Sequence, residues 1–537
     1  MEPYKQLYYN ILIYRTPLKT IFLLLCLPIM LTAKEYYVAT NGNDANTGSI
    51  DSPFATLARA QAEVEAGDIV YIRGGRYIME ESQIMGEREK IYACVFLMDK
   101  SGTDNEHRIR YFGYPGERPI FDLSQVKPFE KRVSVFYVSG SYLHFKNIEV
   151  VGTQVTLVGH TQSECFSNRG GNNNIYENLS MHDGMGIGFY LVKGADNLIL
   201  NCDAYNNYDT VSDGGRGGNV DGFGGHPDNN GSGNVFRGCR AWWNSDDGFD
   251  LINSGQAVVI DHCWSFYNGY RPGSTSAKAG DGTGFKAGGY GMSDSPKAPE
   301  IIPMHEVKNC IAYYNRNKGF YANHHPGGIL WSNNSGYKNP SNYCMLNRKS
   351  IEEAVDVAGY GHILKNNLSY SPRSVEKHII DINESLCQTA NNSFLPTVMI
   401  LTETDFLSLD AGQLTAERKA DGSLPDITFL QPSESSRLYA TRIGYSFEAP
   451  VTDEDNDGVD DNTIIGEKDW LMEAAIHVNN SIASIEGPGA EEFTAFYING
   501  QKVKMSNGTV DLSAYNGKLN LKATSTQGGI VKLTLHK

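Results

Sequence analysis

Four aspartates near a repeated Gly-Phe pair have the types and spacing of a divalent cation site. If the pair marks one position of a stacked repeat, Asp221 and Asp247 lie on neighbouring turns of the chain, about 4.8 Å apart. Carboxylates this close repel one another unless a cation lies between them, and cages of carboxylate oxygens are what Ca²⁺ prefers. The sequence therefore predicts a calcium site whose ligands are Asp221, Asp246, Asp247 and Asp250.

Lys286 holds the position after its Gly-Phe pair that Asp250 holds after the preceding pair. This alignment places the lysine one turn beyond a metal ligand, where a cation would lower the pKa of its amine from about 10.4 and leave it able to accept a proton. Each motif also has a simpler explanation. The Asp-Asp-Gly sequence at 246–248 is common in solvated turns, and Lys286 could form a surface ion pair with Asp281.

A cation beside a neutral amine suits β-elimination from a uronic acid. The cation neutralises the uronate carboxylate and stabilises the charge that develops as the C5 proton leaves, while the amine removes that proton. The C4 glycosidic bond then breaks without water and leaves an unsaturated sugar. The sequence thus predicts a calcium-dependent lyase with Lys286 as its catalytic base.

The elements that must position these residues form a repeat of their own. A cysteine followed five residues later by an asparagine occurs at 202–207, 239–244, 263–268 and 310–315. Each cysteine follows a β-rich run that is too short for a helix, and the intervals between the cysteines vary, as expected where strands stack and loops differ. This pattern predicts an all-β chain folded as a parallel β-helix, with stacked asparagines and buried cysteines that form no disulfides.

The rest of the chain divides into four predicted parts. Residues 1–33 have the charged start and short apolar run of a signal peptide, and 34–445 form the β-helix, with an N-terminal capping helix from Ser52-Pro53 to about Ala66. Residues 446–475 are an acidic linker, and 476–537 a small C-terminal β-sandwich of alternating strands. In the linker, 453–461 matches the first half of an EF-hand loop, but Ile464 replaces the final glutamate. A structural calcium loop and a solvated charge run both remain open there.

Charge and hydropathy exclude several partners. The formal net charge of −16 over 537 residues disfavours nucleic acid, and no stretch after the signal peptide is apolar enough to cross a membrane. We therefore expect an exported protein, secreted after signal cleavage, without a membrane span, and monomeric.

The site motifs resemble those of a known enzyme family. Asp221, the Asp-Asp-Gly-Phe-Asp motif at 246–250 and the Gly-Phe-Lys-Ala-Gly-Gly motif at 284–289 are similar to the calcium ligands and Brønsted base of family 9 polysaccharide lyases. That family contains pectate lyases and rhamnogalacturonan lyases. The resemblance spans about residues 34–445 and implies a right-handed parallel β-helix and galacturonate-containing pectin as substrate, with polygalacturonate or rhamnogalacturonan I as its backbone. The last 60 or so residues resemble sorting-type C-terminal β-domains of secreted proteins.

Two other functions stay open from the sequence. A β-helix hydrolase of the polygalacturonase type also uses clustered aspartates, but it needs an acid and a base set apart for water and has no role for Lys286. A noncatalytic polysaccharide-binding β-helix would need neither base nor acid. Five basic residues in the same or following turns are either substrate clamps or plain surface: Arg271, Lys278, Lys318, His324 and His325.

Overall fold

The computed structural model describes residues 33–293, 297–375 and 377–447. Towards the C-terminus it describes the segments 475–479, 482–486, 493–498, 501–505, 509–515, 518–525 and 530–536. The predicted signal peptide, apart from Ala33, and the predicted linker between 448 and 474 lie outside the described residues, and so does the acidic run at 453–461.

Three long parallel sheets run the length of the described β-helix, because each coil of the chain adds one short strand to each sheet. The first sheet has 12 strands: Glu35–Val38, Ile69–Ile72, Ile109–Gly113, Leu143–Lys146, Ile175–Glu177, Leu198–Leu200, Asn234–Arg237, Val258–Asp261, Glu306–Lys308, Leu330–Ser332, Ile363–Lys365 and Gln388–Ala390. The second has 10: Gly75–Ile78, Pro119–Asp122, Glu149–Val151, Ser180–His182, Asp203–Tyr205, Arg240–Trp242, Trp264–Phe266, Ile311–Tyr313, Ser335–Tyr337 and Leu368–Tyr370.

The third sheet carries the predicted site. Its 11 strands are Gly86–Arg88, Tyr92–Met98, Arg132–Val138, Glu164–Arg169, Ile187–Lys193, Phe223–Gly225, Phe249–Asp250, Phe285–Lys286, Lys318–Tyr321, Ser341–Cys344 and Ile379–Ile380. Only its first pairing, between Gly86–Arg88 and Tyr92–Met98, is antiparallel among these described strands.

The remaining elements are short. Among the described residues, two α-helices span Leu57–Glu63 and Arg437–Thr441, and neither has the length and apolar character needed to cross a bilayer. Single 3₁₀ turns occur at Glu81–Gln83, Ser212–Gly214, Glu384–Leu386, Glu403–Asp405 and Ala411–Thr415. A small antiparallel pair joins Asn347–Arg348 to Asp356–Val357 beside the third sheet.

The N-terminal capping helix exists but is shorter than predicted. It begins at Leu57 instead of Ser52, because Asp44 accepts the backbone N–H groups of Ala55 and Thr56 and keeps this segment out of the helix. Thr56 then caps the helix through the N–H of Arg59. The helix buries Leu57 in the same apolar cluster as the first strands, so it closes that end of the solenoid.

A ladder of buried asparagines joins the coils, as the sequence predicts. The side chain of each asparagine donates to the next at 3.0–3.2 Å along Asn207, Asn244, Asn268, Asn315 and Asn339. The residue before three of these asparagines, an aromatic one, lies in the left-handed region (φ +49° to +58°), which turns the chain from the second sheet towards the third. Seven of the eight described cysteines are buried and all eight are free thiols, which confirms the packing role predicted for them.

A cover segment, residues 399–447, packs on the outer face of the second sheet. Its Phe406, Leu414 and Phe429 lie in one apolar cluster with a stack of aromatic side chains that includes Trp242 and Tyr313. The elements assigned within the cover are the 3₁₀ turns Glu403–Asp405 and Ala411–Thr415 and the helix Arg437–Thr441.

A buried carboxylate that pairs with two arginines joins the cover to the coils. Arg418 of the cover and Arg240 of the second sheet both pair with the buried carboxylate of Asp203. Burial raises and the two guanidinium charges lower the pKa of Asp203, so that the net pKa lies well below its ordinary value.

The C-terminal strands form two antiparallel sheets. Ala475–Asn479, Ile482–Glu486 and Thr509–Asp511 form one, and Phe493–Ile498, Gln501–Val503, Lys518–Ser525 and Ile530–His536 form the other. Side chains from both sheets share a buried cluster, as a β-sandwich requires. The predicted domain limits at 445 and 475 and the sorting role stay predictions.

Substitution of Asn268 by alanine should destabilise the β-helix. Its amide donates to Ala241, Ser265 and Asn315 and accepts the N–H of Asn244, so the change leaves several buried groups without a partner. We expect the free energy of unfolding to fall by at least about 2 kcal/mol in urea titrations. Asn230→Ala, at an exposed position, is the control. Equal stability of the two variants would show that the asparagine ladder does not stabilise the β-helix.

Three buried histidines make stability fall in mild acid. Burial lowers the pKa of His325 to about 4 and that of His362 to about 3, and it also lowers the pKa of His305. The unfolded chain takes up these protons first, at about pH 6.5, so the free energy of unfolding decreases as the pH falls from there towards 4. For His325 the full loss is on the order of 3 kcal/mol.

The variant His325→Gln tests this effect, because glutamine offers both an acceptor for Gly289 N–H and a donor for the Pro303 carbonyl. We expect a smaller difference between the urea midpoints at pH 7.5 and pH 4.5 than in the wild type. The exposed His160→Gln is the control. An unchanged pH difference in His325→Gln would show that this histidine does not carry the effect.

Candidate active site

One outward-facing row of the third sheet forms the floor of the candidate site. Strand pairing places Tyr190, Gly224, Asp250, Lys286 and Tyr321 next to one another on successive coils. Side chains alternate across a strand, so the preceding residues point inward. Those inward residues are stacked rings 4.9–5.1 Å apart, at Phe223, Phe249, Phe285 and Phe320. The Gly-Phe alignment read from the sequence is therefore confirmed.

Three of the four predicted ligands converge at this floor. Asp221, Asp247 and Asp250 each offer a carboxylate oxygen within 4.8 Å of the other two, and all three are buried. Backbone bonds between coils hold them in place. The N–H of Asp247 donates to Asp221 Oδ1 at 3.0 Å, and the N–H of Thr283 donates to Asp247 Oδ1 at 2.6 Å.

The electrostatics of this cluster fit a divalent cation. Burial and the charges of neighbouring aspartates raise the pKa of Asp221 well above its ordinary value, and burial also raises the pKa of Asp247. The Oδ2 atom of Asp247 is buried and accepts no hydrogen bond, although the Lys286 ammonium lies 3.1 Å away. Three carboxylates and one ammonium leave two negative charges to be balanced, and an all-oxygen donor set suits Ca²⁺.

Asp246 lies beside the cluster. Its side chain is half-buried, and its Oδ1 accepts the N–H of Asp281 at 2.7 Å. Burial and the charge of Asp247 raise the pKa of Asp246. Its part as a fourth ligand stays a prediction, because its carboxylate is not within the three-residue group.

Lys286 lies one coil beyond Asp250, as the alignment predicts. Its ammonium is 2.9 Å from Asp250 Oδ2 and 3.1 Å from Asp247 Oδ2, which replaces the suggested surface pair with Asp281. Burial lowers its pKa, but the surrounding aspartates raise it further, so the protein's own charges hold the pKa of Lys286 well above its ordinary value. The lowered pKa predicted for Lys286 thus depends entirely on a cation competing for the same carboxylates.

Sequence reasoning missed the neighbour on the other side of Lys286. Tyr321 follows Gly319-Phe320 as Lys286 follows Gly284-Phe285, so the signal was present. The Tyr321 hydroxyl lies 2.9 Å from Nε2 of His324, whose Nδ1 lies 2.6 Å from Asp356 Oδ1. Asp356 comes from the antiparallel pair and had no sequence signal.

The other basic residues lie in different surroundings. Lys318 and His324 surround Tyr321, with the Lys318 ammonium 4.3 Å from the centre of its ring. His325 is fully buried and bonds to the Pro303 carbonyl, so it is a core residue and not a surface clamp. Arg271 lies over the ring of Tyr208 in a neighbouring loop.

Comparison with known proteins identifies the family to which the chain belongs. A family model described as "Pel9A-like, right handed beta helix region" matches residues 36–367. The chain belongs to this Pel9A-like β-helix family. A second model, described as "Rhamnogalacturonan lyase-like, C-terminal", matches residues 383–532.

Relatives and solved structures agree with the membership. The chain is 33% identical to pectate lyase L of Dickeya dadantii over 78% of this chain and 89% of that protein. It resembles a solved rhamnogalacturonan lyase with a TM-score of 0.74 and 52% identity, covering 77% of this chain and 99% of the other. It resembles pectate lyase Pel9A with a TM-score of 0.60 and 33% identity, covering 76% of this chain and 91% of the other.

These findings confirm the predicted family, the right-handed parallel β-helix and the enzyme class of a polysaccharide lyase. The Pel9A-like fold places the acidic cluster and Lys286 on one face of one sheet.

Calcium binding to this Pel9A-like protein should be visible without any substrate. We expect saturating Ca²⁺ to raise the melting temperature by several degrees, because a ligand at 100 times its Kd stabilises a protein by about 2.7 kcal/mol. Asp221→Asn and Asp247→Asn should abolish the shift, and the exposed Asp51→Asn should keep it. Asp246→Asn decides whether that residue is a fourth ligand. An unchanged shift in Asp247→Asn would contradict the site.

Proposed function

We propose that this protein is a calcium-dependent lyase that cleaves galacturonate-containing pectin by β-elimination, with Lys286 as the Brønsted base. The observation that carries the proposal is the contact of the Lys286 amine with Asp247 and Asp250, two members of a buried carboxylate cluster. A base next to a cation site is the arrangement that removal of a proton α to a carboxylate requires.

The aspartates and Lys286 have different roles in the proposed reaction. Asp221, Asp247 and Asp250, with Asp246 as the proposed fourth ligand, would hold the ion. Bound calcium supplies positive charge that neutralises the uronate carboxylate and stabilises the enolate-like charge developing beside it. Lys286 projects from the next coil and takes the C5 proton, after which the bond from C4 to the glycosidic oxygen breaks.

We propose rhamnogalacturonan I as the backbone that is cut. The support is the 52% identity with a rhamnogalacturonan lyase, against 33% with pectate lyase Pel9A, over nearly the same share of the chain. The model matched by residues 383–532 also carries the rhamnogalacturonan lyase name. Polygalacturonate is the second candidate, because both backbones present galacturonate at the bond that is cut. We further propose that the enzyme is exported, loses residues 1–33 and acts as a monomer.

Ultraviolet absorbance of the unsaturated product tests the proposal. We expect absorbance to rise with rhamnogalacturonan and Ca²⁺, to rise much less with polygalacturonate, and to stop after chelation. Lys286→Ala should lose nearly all activity, and Lys286→Arg should fail as well because a guanidinium stays charged. Lys365→Ala, an exposed lysine of the first sheet, is the control.

Other outcomes would contradict the proposal in separate ways. New reducing ends without absorbance would mean hydrolysis of the polygalacturonase type. Binding of either polymer without cleavage would mean a noncatalytic β-helix. Full activity of Lys286→Arg would show that another group is the base.

A further inference from the structure

Lys318 lies on the outer face of the third sheet, in a second row beside that of Lys286. Backbone hydrogen bonds between coils define this second row. The glycine after Asp247 donates its N–H to the Thr283 carbonyl at 2.9 Å, and the glycine after Thr283 donates to the Lys318 carbonyl at 2.9 Å. The ammonium of Lys318 lies 4.3 Å from the centre of the outward Tyr321 ring. Lys318 therefore holds the position of Asp247 two coils further along, and one coil beyond Lys286.

The charge of Lys318 has no counter-charge beside it in the part of the chain that the structure describes. Lys286 forms two ion pairs with aspartates, whereas Lys318 forms none with any described carboxylate. Its side chain is half-buried, so water solvates the charge only in part. The face of the Tyr321 ring attracts the ammonium and offsets some of this cost. An ammonium in this state is available to a carboxylate of a ligand.

Polar contacts hold the ring beneath this ammonium in place. The Tyr321 ring is 7% exposed, and its hydroxyl lies 2.9 Å from His324 Nε2. His324 Nδ1 lies 2.6 Å from Asp356 Oδ1, so the nearby carboxylate of Asp356 contacts the imidazole. The position of the Lys318 ammonium is thereby set before a ligand arrives, which reduces the entropy lost on binding.

Long connections border the third sheet at both ends of its strands. Residues 206–222 and 267–284 lead into it from the second sheet, and residues 345–362 lead from it to the first. The stack of coils runs between these connections, and an extended polymer has room along it. A polysaccharide bound in this direction crosses the coil of Asp247 before that of Lys318.

The spacing of these two positions fits alternate sugars of such a polymer. The coils that carry Asp247 and Lys318 are two strand spacings apart, about 9.6 Å. One pyranose of an extended chain advances by a distance similar to one coil, so two coils span two sugars. In rhamnogalacturonan I one rhamnose separates successive galacturonates, and the carboxylates therefore recur at every second sugar.

We propose that Lys318 binds the carboxylate of a second galacturonate, two sugars from the one whose carboxylate the cation would hold. This inference rests on the proposed function and gives a physical reason for its choice of backbone. The sugar between the two galacturonates lies next to Lys286 in this arrangement. A rhamnose there brings no charge. In polygalacturonate that sugar carries a carboxylate, which would favour the protonated form of the Lys286 amine and so oppose its action as the base.

Defined oligosaccharides of rhamnogalacturonan I test this role. One has three disaccharide repeats with free uronates and is followed by absorbance at its middle uronate. Two others carry a single methyl ester, on the uronate two sugars before or two sugars after the middle one. Lys318→Gln should raise KM on the free oligosaccharide by about 10–100-fold, as expected for a lost charge-assisted hydrogen bond, and lower kcat by less than about threefold.

One of the two esters should raise the KM of the wild type by a similar factor and remove its advantage over Lys318→Gln, because the ester takes away the charge that the lysine binds. Lys318→Arg keeps the positive charge and should lie nearer to the wild type than Lys318→Gln does. A purely structural role would not depend on the position of an ester.

The matched control is Lys338→Gln. The Lys338 ammonium also lies over a tyrosine ring, 4.9 Å from the centre of Tyr337, but at the second sheet and away from the row of Lys286. This variant should leave KM and kcat unchanged. Melting temperature and the calcium-induced shift should be retained in Lys318→Gln.

Three outcomes would overturn the assignment of Lys318: an unchanged KM on the free oligosaccharide, a loss confined to kcat, or the same loss in Lys318→Gln on the free and on both esterified oligosaccharides. A wild type that forms no unsaturated product from any of them would instead overturn the proposed function, and this inference with it.

Discussion

The parallel stacking of coils at strand spacing is the constraint on which every distance in the site depends. Each coil contributes one residue to the outward row of the third sheet, and the inward rings of Phe223, Phe249 and Phe285 fill the space beneath. The asparagine ladder at the neighbouring corner prevents the coils from slipping, because a shift of one residue would break buried amide bonds and turn Lys286 inward. Loops of very different length can therefore leave the same corner without moving the site.

The same stacking creates repulsion between buried aspartates, and this repulsion suggests how the site binds a cation. Aspartates on adjacent coils are forced together in a buried place, and their pKa values rise as a result. Lys286 relieves part of this repulsion, and in doing so it is held in the protonated form. A divalent cation would satisfy the carboxylates better than one ammonium, and its binding would release the amine. Under the proposed function, binding of the cation and release of the Lys286 amine would therefore occur together.

The register of the site was predictable because solenoid repeats are local in sequence. The Gly-Phe pairs gave the neighbours Asp250 and Lys286, and the Cys-to-Asn spacing gave the second sheet, the buried thiols and the ladder. The capping helix was predicted to begin five residues too early. The backbone N–H groups of Ala55 and Thr56 donate to Asp44, and these bonds before the helix cannot be inferred from the local sequence pattern.

The sequence by itself determined the fold class and the outward row, and it brought Lys286 next to Asp250, since strand period and coil spacing convert positions directly into distances. Tertiary structure decided what no single repeat contains. It brought Asp221, Asp247 and Asp250 together, while the carboxylate of Asp246 beside them accepts the N–H of Asp281. It also brought Asp356, from an antiparallel pair inserted after the strand, against His324, which in turn contacts Tyr321. Inserted loops have no fixed period, so their contacts follow only from the packed structure.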